Sequence, residues 1–419
     1  MAGLSCPRPH GYWARVMNRV DPPEAFTGCG AADTGWSGDA LANGPARPLR
    51  ILTYLHSFGP GGVERVALRL NRAWRALGAE TIVIVGRDSG VCDPADAPHC
   101  RLLRRALPFA AQTQLGWAVS QLPAIIRQEQ PDILFCAGNT YSSVNSAMKL
   151  ALGPRCPPII AKVSNDLARP DMSPLLRAGY HRWLRIQGRA IDRFVAMAPP
   201  LAPEIAELMW IDPARVATIL DPALSADELA QFAAPAARSA RADAGRHFLA
   251  VGRLARQKNF ALLLDAFALA ARPGDRLTIL GEGPERAALT RRIARRGLTG
   301  RVAMPGHVSD LPRWFADADT LILSSDFEGV PAVVVEALAA GIGIVATRCS
   351  NGMDDLLGHG RFGRLVPPRD AALLAAALAD APRRQRDPGA AIAHARRFTV
   401  EIGAAAYLAL MQQLARAGR

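Results

Sequence analysis

Short apolar runs alternate with helical patterns along most of the chain. The first run, 50–56, leads into a glycine-rich turn at 59–62, and apolar residues then recur at helical spacing from 63 to 77. A glycine ends this pattern, and another apolar run follows at 80–85. A strand, a glycine-rich turn, a helix and a second strand form a βαβ unit, which implies a parallel sheet.

The alternation continues in two series. The first series predicts a short helix over 203–210 and further strands over 131–136, 158–163, 193–197 and 216–220. The second predicts strands over 248–251, 277–280, 302–304, 320–323 and 342–346, and helices over 260–271, 285–296, 310–317 and 332–340. Two α/β series predict two doubly wound domains facing a cleft, with ligands at the carboxyl ends of the strands.

A change of composition separates the two series. Alanine and aspartate dominate 222–245, and we place the domain boundary in this stretch. We therefore expect a first Rossmann-like domain at 48–235, a second at 236–397, and a C-terminal helix at 398–419 that returns to the first domain. Residues 1–47 show no sustained period and are rich in Gly, Pro, Ala and Asp, so we expect a disordered extension there.

Composition and charge narrow the classes of partner. Half of the 419 residues are apolar and 21% are charged, as in a globular protein. The net charge of +13 is spread along the chain, and almost all of its 50 basic residues are arginines. We therefore expect no nucleic-acid partner, whereas an anionic small molecule or an anionic membrane surface fits this charge.

The seven cysteines are scattered and include no C-x-x-C pair, which disfavours a disulfide framework or a zinc site and favours a reducing compartment. No apolar stretch has the length and lack of polar residues that a signal peptide or a spanning helix needs. We expect a cytoplasmic protein, with the inner face of the plasma membrane as a candidate peripheral location.

Two loops of the second series carry candidate chemistry. In the first, Gly252 allows a ligand close to the backbone, and the cations Arg253 and Lys258 are suited to a polyanion, although a solvated pair of loop charges is the better explanation of an isolated motif. In the second, the turn Gly281–Gly283 lacks the third glycine of a dinucleotide fingerprint. A tight turn against a base or a ribose is the better interpretation.

Two glutamates give the strongest signal. Glu328 lies in a loop that leaves a predicted strand, and Glu336 lies inside the following apolar helix, where a carboxylate is costly unless it is paired or bound. Such carboxylates accept hydrogen bonds from sugar hydroxyls, and the helix start after Pro331 suits a phosphate. Taken alone, one capping glutamate and one glutamate at the edge of the core are an equally good explanation.

These motifs together resemble the retaining glycosyltransferases of family 4, which have the GT-B fold. The resemblance covers 49–415 and rests on motifs in a fixed order. They are Gly59-Pro-Gly-Gly-Val-Glu-Arg65, Gly252-Arg-Leu-x3-Lys-Asn259, Gly281-Glu-Gly-Pro284, the segment Gly306 to Asp319, Glu328-Gly-Val-Pro-x4-Glu-Ala337 and the late glycine loop 360–370.

The resemblance implies a role for each matching residue. Arg253 and Lys258 would hold the donor diphosphate, Glu328 the transferred sugar and Glu336 the ribose hydroxyls. The remaining implied donor contacts are Gly252 beside the cations, Gly329 and the backbone of Val330 and Pro331 at the phosphates, Gly281, Gly283 and His307 near the base, and Gly61 and Gly62 from the opposite domain. His56, which precedes the glycine loop, is a candidate to reach the acceptor.

The implied reaction moves a sugar from a nucleotide-diphosphate donor to a hydroxyl of a glycan or lipid-linked acceptor, with retention at the anomeric carbon. Fixed cations and a helix start would meet the diphosphate charge, so we expect no metal and no cofactor beyond the donor co-substrate. A nucleotide-sugar epimerase of this architecture and a non-catalytic nucleotide-binding or scaffold protein are the alternatives.

Two features of the first domain remain. One is a departure from the family pattern at the end of a strand, and the other is a helix that is a candidate for binding a membrane surface. Asn165 or Asp166 stands in the region where members often carry a histidine. Beyond it, 174–194 predicts an amphipathic helix that either only packs on the sheet or also meets anionic lipid. Its predicted apolar side is Leu176, Tyr180, Trp183, Leu184 and Ile191, and its basic side is Arg182, Arg185, Arg189 and Arg193.

Overall fold

The computed structural model describes residues 47–59, 62–87, 89–90, 96–103, 111–164, 167–169, 172–234 and 245–417. The predicted extension up to residue 46 lies outside these ranges, as do the candidate site residue Gly61 and the pair Asn165 and Asp166. None of the helices in the described ranges is long and apolar enough to cross a bilayer.

The first domain is built on a sheet of seven parallel strands. They are β1 (Arg50–Leu55), β2 (Glu80–Val85), β3 (Cys100–Leu102), β4 (Ile133–Cys136), β5 (Ile159–Val163), β6 (Arg193–Ala196) and β7 (Val216–Thr218). Their order in the sheet is β3-β2-β1-β4-β5-β6-β7. The helices between them are α1 (Gly62–Ala76), α2 (Ala111–Glu129), α3 (Ser142–Leu152), α4 (Pro174–Ala190) and α5 (Leu201–Met209).

The second domain is built on a sheet of six parallel strands. They are β8 (His247–Val251), β9 (Arg276–Leu280), β10 (Val302–Gly306), β11 (Thr320–Leu323), β12 (Gly343–Thr347) and β13 (Arg364–Val366), in the order β10-β9-β8-β11-β12-β13. Its helices are α6 (Ala226–Ala233), α7 (Phe260–Ala270), α8 (Arg286–Arg295), α9 (Leu311–Asp317), α10 (Ala332–Ala340), α11 (Met353–Leu356), α12 (Ala371–Ala379) and α13 (Pro388–Arg396). The two doubly wound parallel sheets confirm the predicted fold class.

The strand order places the two main candidate loops side by side. In the second sheet, β8 lies between β9 and β11, so the loops that leave these three strands meet at one edge. The register of β8 and β11 aligns Phe248 with Thr320, and that of β8 and β9 aligns Val251 with Leu280. The predicted cation loop therefore has the two-glutamate loop on one side and the glycine turn on the other.

The boundary predicted at 235 is wrong. Residues 223–232 pack into the core of the second domain, where Leu229 and Phe232 are buried and the Phe232 ring lies 5.2 Å from that of Phe315. The alanine- and aspartate-rich stretch was interpreted as a linker, but part of it forms an ordered helix, α6, whose start is capped by Ser225. The chain thus enters the second domain soon after β7.

The chain crosses between the domains a second time near residue 399. Thr399 pairs with Leu224 of the first crossing, and the backbone N–H of Val400 donates to the Leu224 carbonyl over 2.7 Å. The following helix, α14 (Val400–Ala417), packs on the first sheet. There the buried Tyr407 ring lies 5.6 Å from Phe135.

The predicted amphipathic helix is shorter than expected, and one residue of its predicted buried side is exposed. It ends at Ala190, and Arg193 lies instead in β6, where it donates to the Ala214 carbonyl over 2.9 Å. Leu184 and Ile191 are buried as expected. Leu176 was expected on the packed side but is 68% exposed, because it lies about 80° around the helix from Leu184.

Candidate functional site

Hydrogen bonds tie the loop after β8 to the loop after β11. The backbone N–H of Asp326 donates to the Gln257 carbonyl over 2.8 Å, and the Ser324 hydroxyl donates to the Lys258 carbonyl over 2.9 Å. The Asn259 side chain donates to the Asp326 carboxylate over 2.8 Å. These bonds fix the backbone of Lys258 beside the loop that carries the first glutamate.

Lys258 and Glu328 form an ion pair at this junction. The Lys258 Nζ lies 2.6 Å from the Glu328 Oε1, and the side chains are only 18% and 12% exposed. The backbone N–H of Glu328 donates to the Cys349 carbonyl over 2.9 Å, which holds the glutamate in place. Arg253 stands exposed at the start of the same loop. The site therefore offers two cations and one carboxylate at the edge of the second sheet.

The start of α10 lies directly behind Glu328. Pro331 is the N-cap residue, and it provides no side-chain acceptor for the first backbone N–H groups of the helix. Such N–H groups carry the positive end of the helix dipole and are suited to an anion. The backbone of Val330 and Pro331 thus leads from the carboxylate to a possible anion position.

Glu336 is buried one turn further along α10, and its Oε2 has no hydrogen-bond partner among the described residues. Burial raises the pKa of Glu336 to about 7. The positive charge of Arg65 acts against this shift, the negative charge of Glu228 adds to it, and Arg69 again acts against it. The side chain is therefore a buried acceptor close to its ionisation point at neutral pH.

Arg69 connects this region to the first domain, which the sequence did not predict. Its guanidinium donates to the Ala223 carbonyl over 2.8 Å and to the Glu228 carboxylate over 2.5 Å. The only signal was the spacing of Arg65 and Arg69, which puts both on one side of α1. Two arginines of the first domain therefore act on Glu336 in the second.

The glycines at 281 and 283 are required by the backbone of the cation loop. A Cβ at Gly281 would lie 2.0 Å from the Gly252 carbonyl oxygen, and one at Gly283 would lie 2.4 Å from that of Leu254. The backbone N–H of Leu254 donates to the Glu282 carbonyl over 2.9 Å, which joins the two loops. Close packing of two backbones therefore explains both glycines, and their contact with a base stays a prediction.

His307 follows β10 and is exposed. The carbonyl of its neighbour Gly306 accepts a hydrogen bond from the N–H of Gly281 over 2.8 Å. His307 therefore lies next to the glycine turn, at the same edge of the sheet as the ion pair, and its approach to a base also stays a prediction.

His56 lies in the first domain and is braced by aromatic neighbours. Its Nδ1 is 3.2 Å from the Tyr54 hydroxyl, and its ring lies 4.7 Å from that of Tyr141. Burial lowers its pKa most, opposed by the nearby Glu64 and by a hydrogen bond to the backbone of Thr140. This environment describes a packed neutral histidine, and a role toward an acceptor stays a prediction.

A hydrogen bond anchors the start of α1, the helix that follows the glycine motif. Gly62, which is exposed, begins α1, and two residues later the Glu64 carboxylate accepts a hydrogen bond of 2.5 Å from the Tyr141 hydroxyl. The bond between Glu64 and Tyr141 could not be predicted from the sequence, although Glu64 belongs to the glycine motif.

Metal ligands do not gather at this site. In the part of the chain that the structure describes, no group of three or more His, Cys, Asp or Glu side chains is arranged to hold a metal ion. The predicted site residues instead form two groups. Those of the second domain, Gly252 to Glu336, share one sheet edge, whereas His56 and Gly62 lie in the first domain.

Family models match both domains. The model of Glycosyltransferase Family 4 matches residues 60–220, and that of Glycosyl transferases group 1 matches residues 245–381. The second match contains all the candidate residues of the second domain. The first match contains Gly61 and Gly62 but not His56.

Curated relatives and solved structures are similar to the chain. D-inositol 3-phosphate glycosyltransferase 2 of Catenulispora acidiphila is 34% identical over 52% of this chain and 55% of its own length. The lipopolysaccharide core biosynthesis glycosyltransferase LpsE of Rhizobium meliloti is 25% identical over 78% of this chain and 87% of its own. The chain spans only part of the length of three relatives, between 13% and 55%. The Catenulispora acidiphila protein is one of these three.

The structure of HepE from Anabaena in complex with UDP has the same fold. It superposes with a TM-score of 0.68 at 18% identity and covers 87% of this chain and 100% of its own.

Proposed function

We propose that this chain, which belongs to the glycosyltransferases of family 4 with the GT-B fold, transfers a sugar from a nucleotide-diphosphate donor to an acceptor hydroxyl. The reaction proceeds with retention at the anomeric carbon. The product belongs to a surface polysaccharide or a lipid-linked glycan, which is supported by a relative that acts in lipopolysaccharide core biosynthesis.

The observation that carries this proposal is the half-enclosed ion pair of Lys258 and Glu328 in front of the start of α10. A lysine, an exposed arginine and free helix N–H groups are suited to the two phosphates of a donor. A carboxylate in the same place is suited to sugar hydroxyls. A nucleotide-diphosphate sugar combines two phosphates with several hydroxyls, and a UDP complex of a structure with this fold supports a nucleotide donor.

Each residue has a role in this proposal. Arg253, Lys258 and the start of α10 bind the diphosphate and stabilise the charge that develops on it as the sugar bond breaks. Glu328 orients the transferred sugar, and Lys258 exchanges its bond to Glu328 for one to phosphate when the donor enters. Glu336 accepts hydrogen bonds from the ribose hydroxyls, since its Oε2 is buried and open to a new partner.

The proposed reaction needs no metal ion. The diphosphate charge is met by two cations and a helix start, which stabilise it without a divalent ion. Metal-independent transfer distinguishes this chemistry from that of enzymes that bind the diphosphate through a divalent cation.

The test is a donor screen with and without acceptor. Purified protein is incubated with UDP-, GDP- and dTDP-sugars, alone and with lipid-linked glycan extracted from the organism that encodes the protein. The released nucleotide and the product are then measured. We expect nucleotide release that requires the acceptor, and an unchanged anomeric configuration by NMR. Conversion of the donor sugar without acceptor would indicate an epimerase, and binding without turnover of any donor would indicate a non-catalytic protein.

We also propose an anionic membrane surface as a partner of the first domain. Leu175 is 85% exposed on α4, and the exposed Trp210 lies 4.4 Å under the guanidinium of Arg185. Arg182 and Arg189 are exposed on the same helix. Apolar and basic groups side by side are suited to the head-group region of a bilayer, where a lipid-linked acceptor would be held.

A further inference from the structure

Loops of the two domains touch along a short line beside Glu328. We call this line the closure seam and define it by Ser164, Ala198 and Glu204 of the first domain and Gly329, Asn351 and Gly352 of the second. At one end, a Cβ on Gly329 would lie 2.3 Å from the Ser164 carbonyl oxygen. Cβ atoms essentially never approach other heavy atoms so closely, so only a glycine fits there.

The middle of the closure seam is a contact between Ala198 and Gly352, which are both buried. A Cβ on Gly352 would lie 2.9 Å from the Ala198 Cβ. The backbone of Gly352 has φ −80° and ψ −5°, which an alanine adopts without strain. The neighbour across the seam, and not the backbone, therefore demands a glycine at this position.

The third contact of the closure seam is polar. The Glu204 Oε1 accepts hydrogen bonds from the backbone N–H groups of Leu167 and Ala168 over 3.2 and 3.1 Å. Its Oε2 accepts a hydrogen bond of 2.9 Å from the Asn351 side chain in the second domain. One carboxylate thus holds the backbone of Leu167 and Ala168 and joins it to the other domain.

We propose that the closure seam is the stop that sets how far the two domains close. Ala198 and Gly352 are its steric contact, and Glu204 and Asn351 are its polar contact. They act as positioning residues, because they set the distance between the loop after β5 and Glu328. The inference rests on the proposed transfer reaction only for its kinetic consequence, since the seam is made by residues of the chain itself.

The experiment first adds a methyl group on one side of the closure seam and then removes the opposing methyl group on the other side. In Gly352→Ala the new methyl group meets Ala198, so we expect amide exchange to quicken at least about fivefold around Leu167 and Gly329, measured by mass spectrometry. Turnover should fall at least about tenfold while the donor KM stays within about twofold, because the proposed contacts with the diphosphate, the ribose and the sugar all lie in the second domain. Adding Ala198→Gly should return exchange and turnover to within about threefold of the wild type.

Two further variants make the test specific. Gly116→Ala is the matched control, since a Cβ there would have no neighbour within 4 Å, and it should change neither measurement. Asn351→Ala removes only the exposed polar contact, so it keeps the test valid if Gly352→Ala does not fold, and it should quicken exchange at the same two segments.

Two results would overturn the proposal. One is unchanged exchange in both Gly352→Ala and Asn351→Ala. The other is a double variant that exchanges and turns over like Gly352→Ala alone, which would mean that Gly352 acts on the donor and not on Ala198. If exchange follows the expected pattern but even the wild type transfers no sugar, the proposed function fails and the closure seam stands.

Discussion

Removing either member of the Lys258–Glu328 pair should destabilise the protein without donor, and removing both should not. In Lys258→Met the Glu328 carboxylate stays in a site where its side chain is only 12% exposed, with its partner 2.6 Å away deleted. Leaving one buried charge uncompensated costs about 3 kcal/mol, the lower end of the usual range because both side chains keep some contact with water.

The double variant Lys258→Met with Glu328→Gln separates stability from activity. It contains no charge in this place, so the free energy of unfolding should return to within about 1 kcal/mol of the wild type. Turnover should remain lost, because the cation for the diphosphate and the carboxylate for the sugar are both gone. Urea unfolding followed by tryptophan fluorescence gives the stability as the midpoint shift multiplied by a common m value.

Arg364→Met is the matched control for this series. Arg364 lies 3.5 Å from Asp380, and both side chains are more than half exposed, so the loss should stay below about 1 kcal/mol. If Lys258→Met unfolds at the same urea concentration as this control, or if the double variant loses the sum of the two single losses, the pair does not stabilise the fold as argued here.

Four more outcomes are expected. Because both oxygens of ionised Glu336 accept hydroxyl hydrogen bonds, whereas the protonated group has an O–H donor at one of them, and because its pKa is about 7, the donor KM should rise up to about tenfold as the pH falls from about 8 to about 6, and Glu336→Gln should flatten this profile. Arg253→Ala should lower kcat/KM about 10- to 150-fold, the worth of a charge-assisted bond, and unchanged kinetics would contradict its role. Chelation by EDTA should leave transfer intact, and a loss restored by magnesium or manganese would contradict metal independence. The protein should float with anionic liposomes and detach as salt rises, and changing Arg182, Arg185 and Arg189 to Gln should weaken this, whereas equal binding to neutral vesicles would argue against it.

The sequence predicted those parts of the fold whose cause is local. The start of α7 shows why: Asn259 has φ +44°, and its side chain accepts a hydrogen bond from the N–H of Leu262 over 3.2 Å. A short polar residue is needed at such a position, so the Lys-Asn motif carries its own structural reason. The strand at 320–323 is likewise marked by a short apolar run, and the helix at 332–340 by an apolar run between Pro331 and Gly341.

Partners that are distant in the sequence could not be predicted in this way. Arg69 meets Glu228 across 159 positions, and Glu204 meets Asn351 across 147, and neither pair leaves a periodic pattern. The predicted domain boundary was wrong for the same reason, since α6 packs on an apolar surface of the second domain that residues distant in the sequence form. Of the candidate site, the loops were predictable, but the ion pair inside it and the arginines facing Glu336 were not.

The chain passes between the domains twice, after β7 and near residue 399. This determines where a chimaera of two such proteins must be joined if the second domain is to be exchanged. A chimaera that takes everything after β7 from a relative would also replace α14, and with it Tyr407 and the Ala404 carbonyl that accepts the Trp74 indole N–H over 3.1 Å. The recipient would then carry a foreign piece in the core of its own first domain. The transferable cassette is the segment from Ala223 to Phe398, whose ends lie side by side, with the Ala223 N–H donating to the Phe398 carbonyl over 2.9 Å.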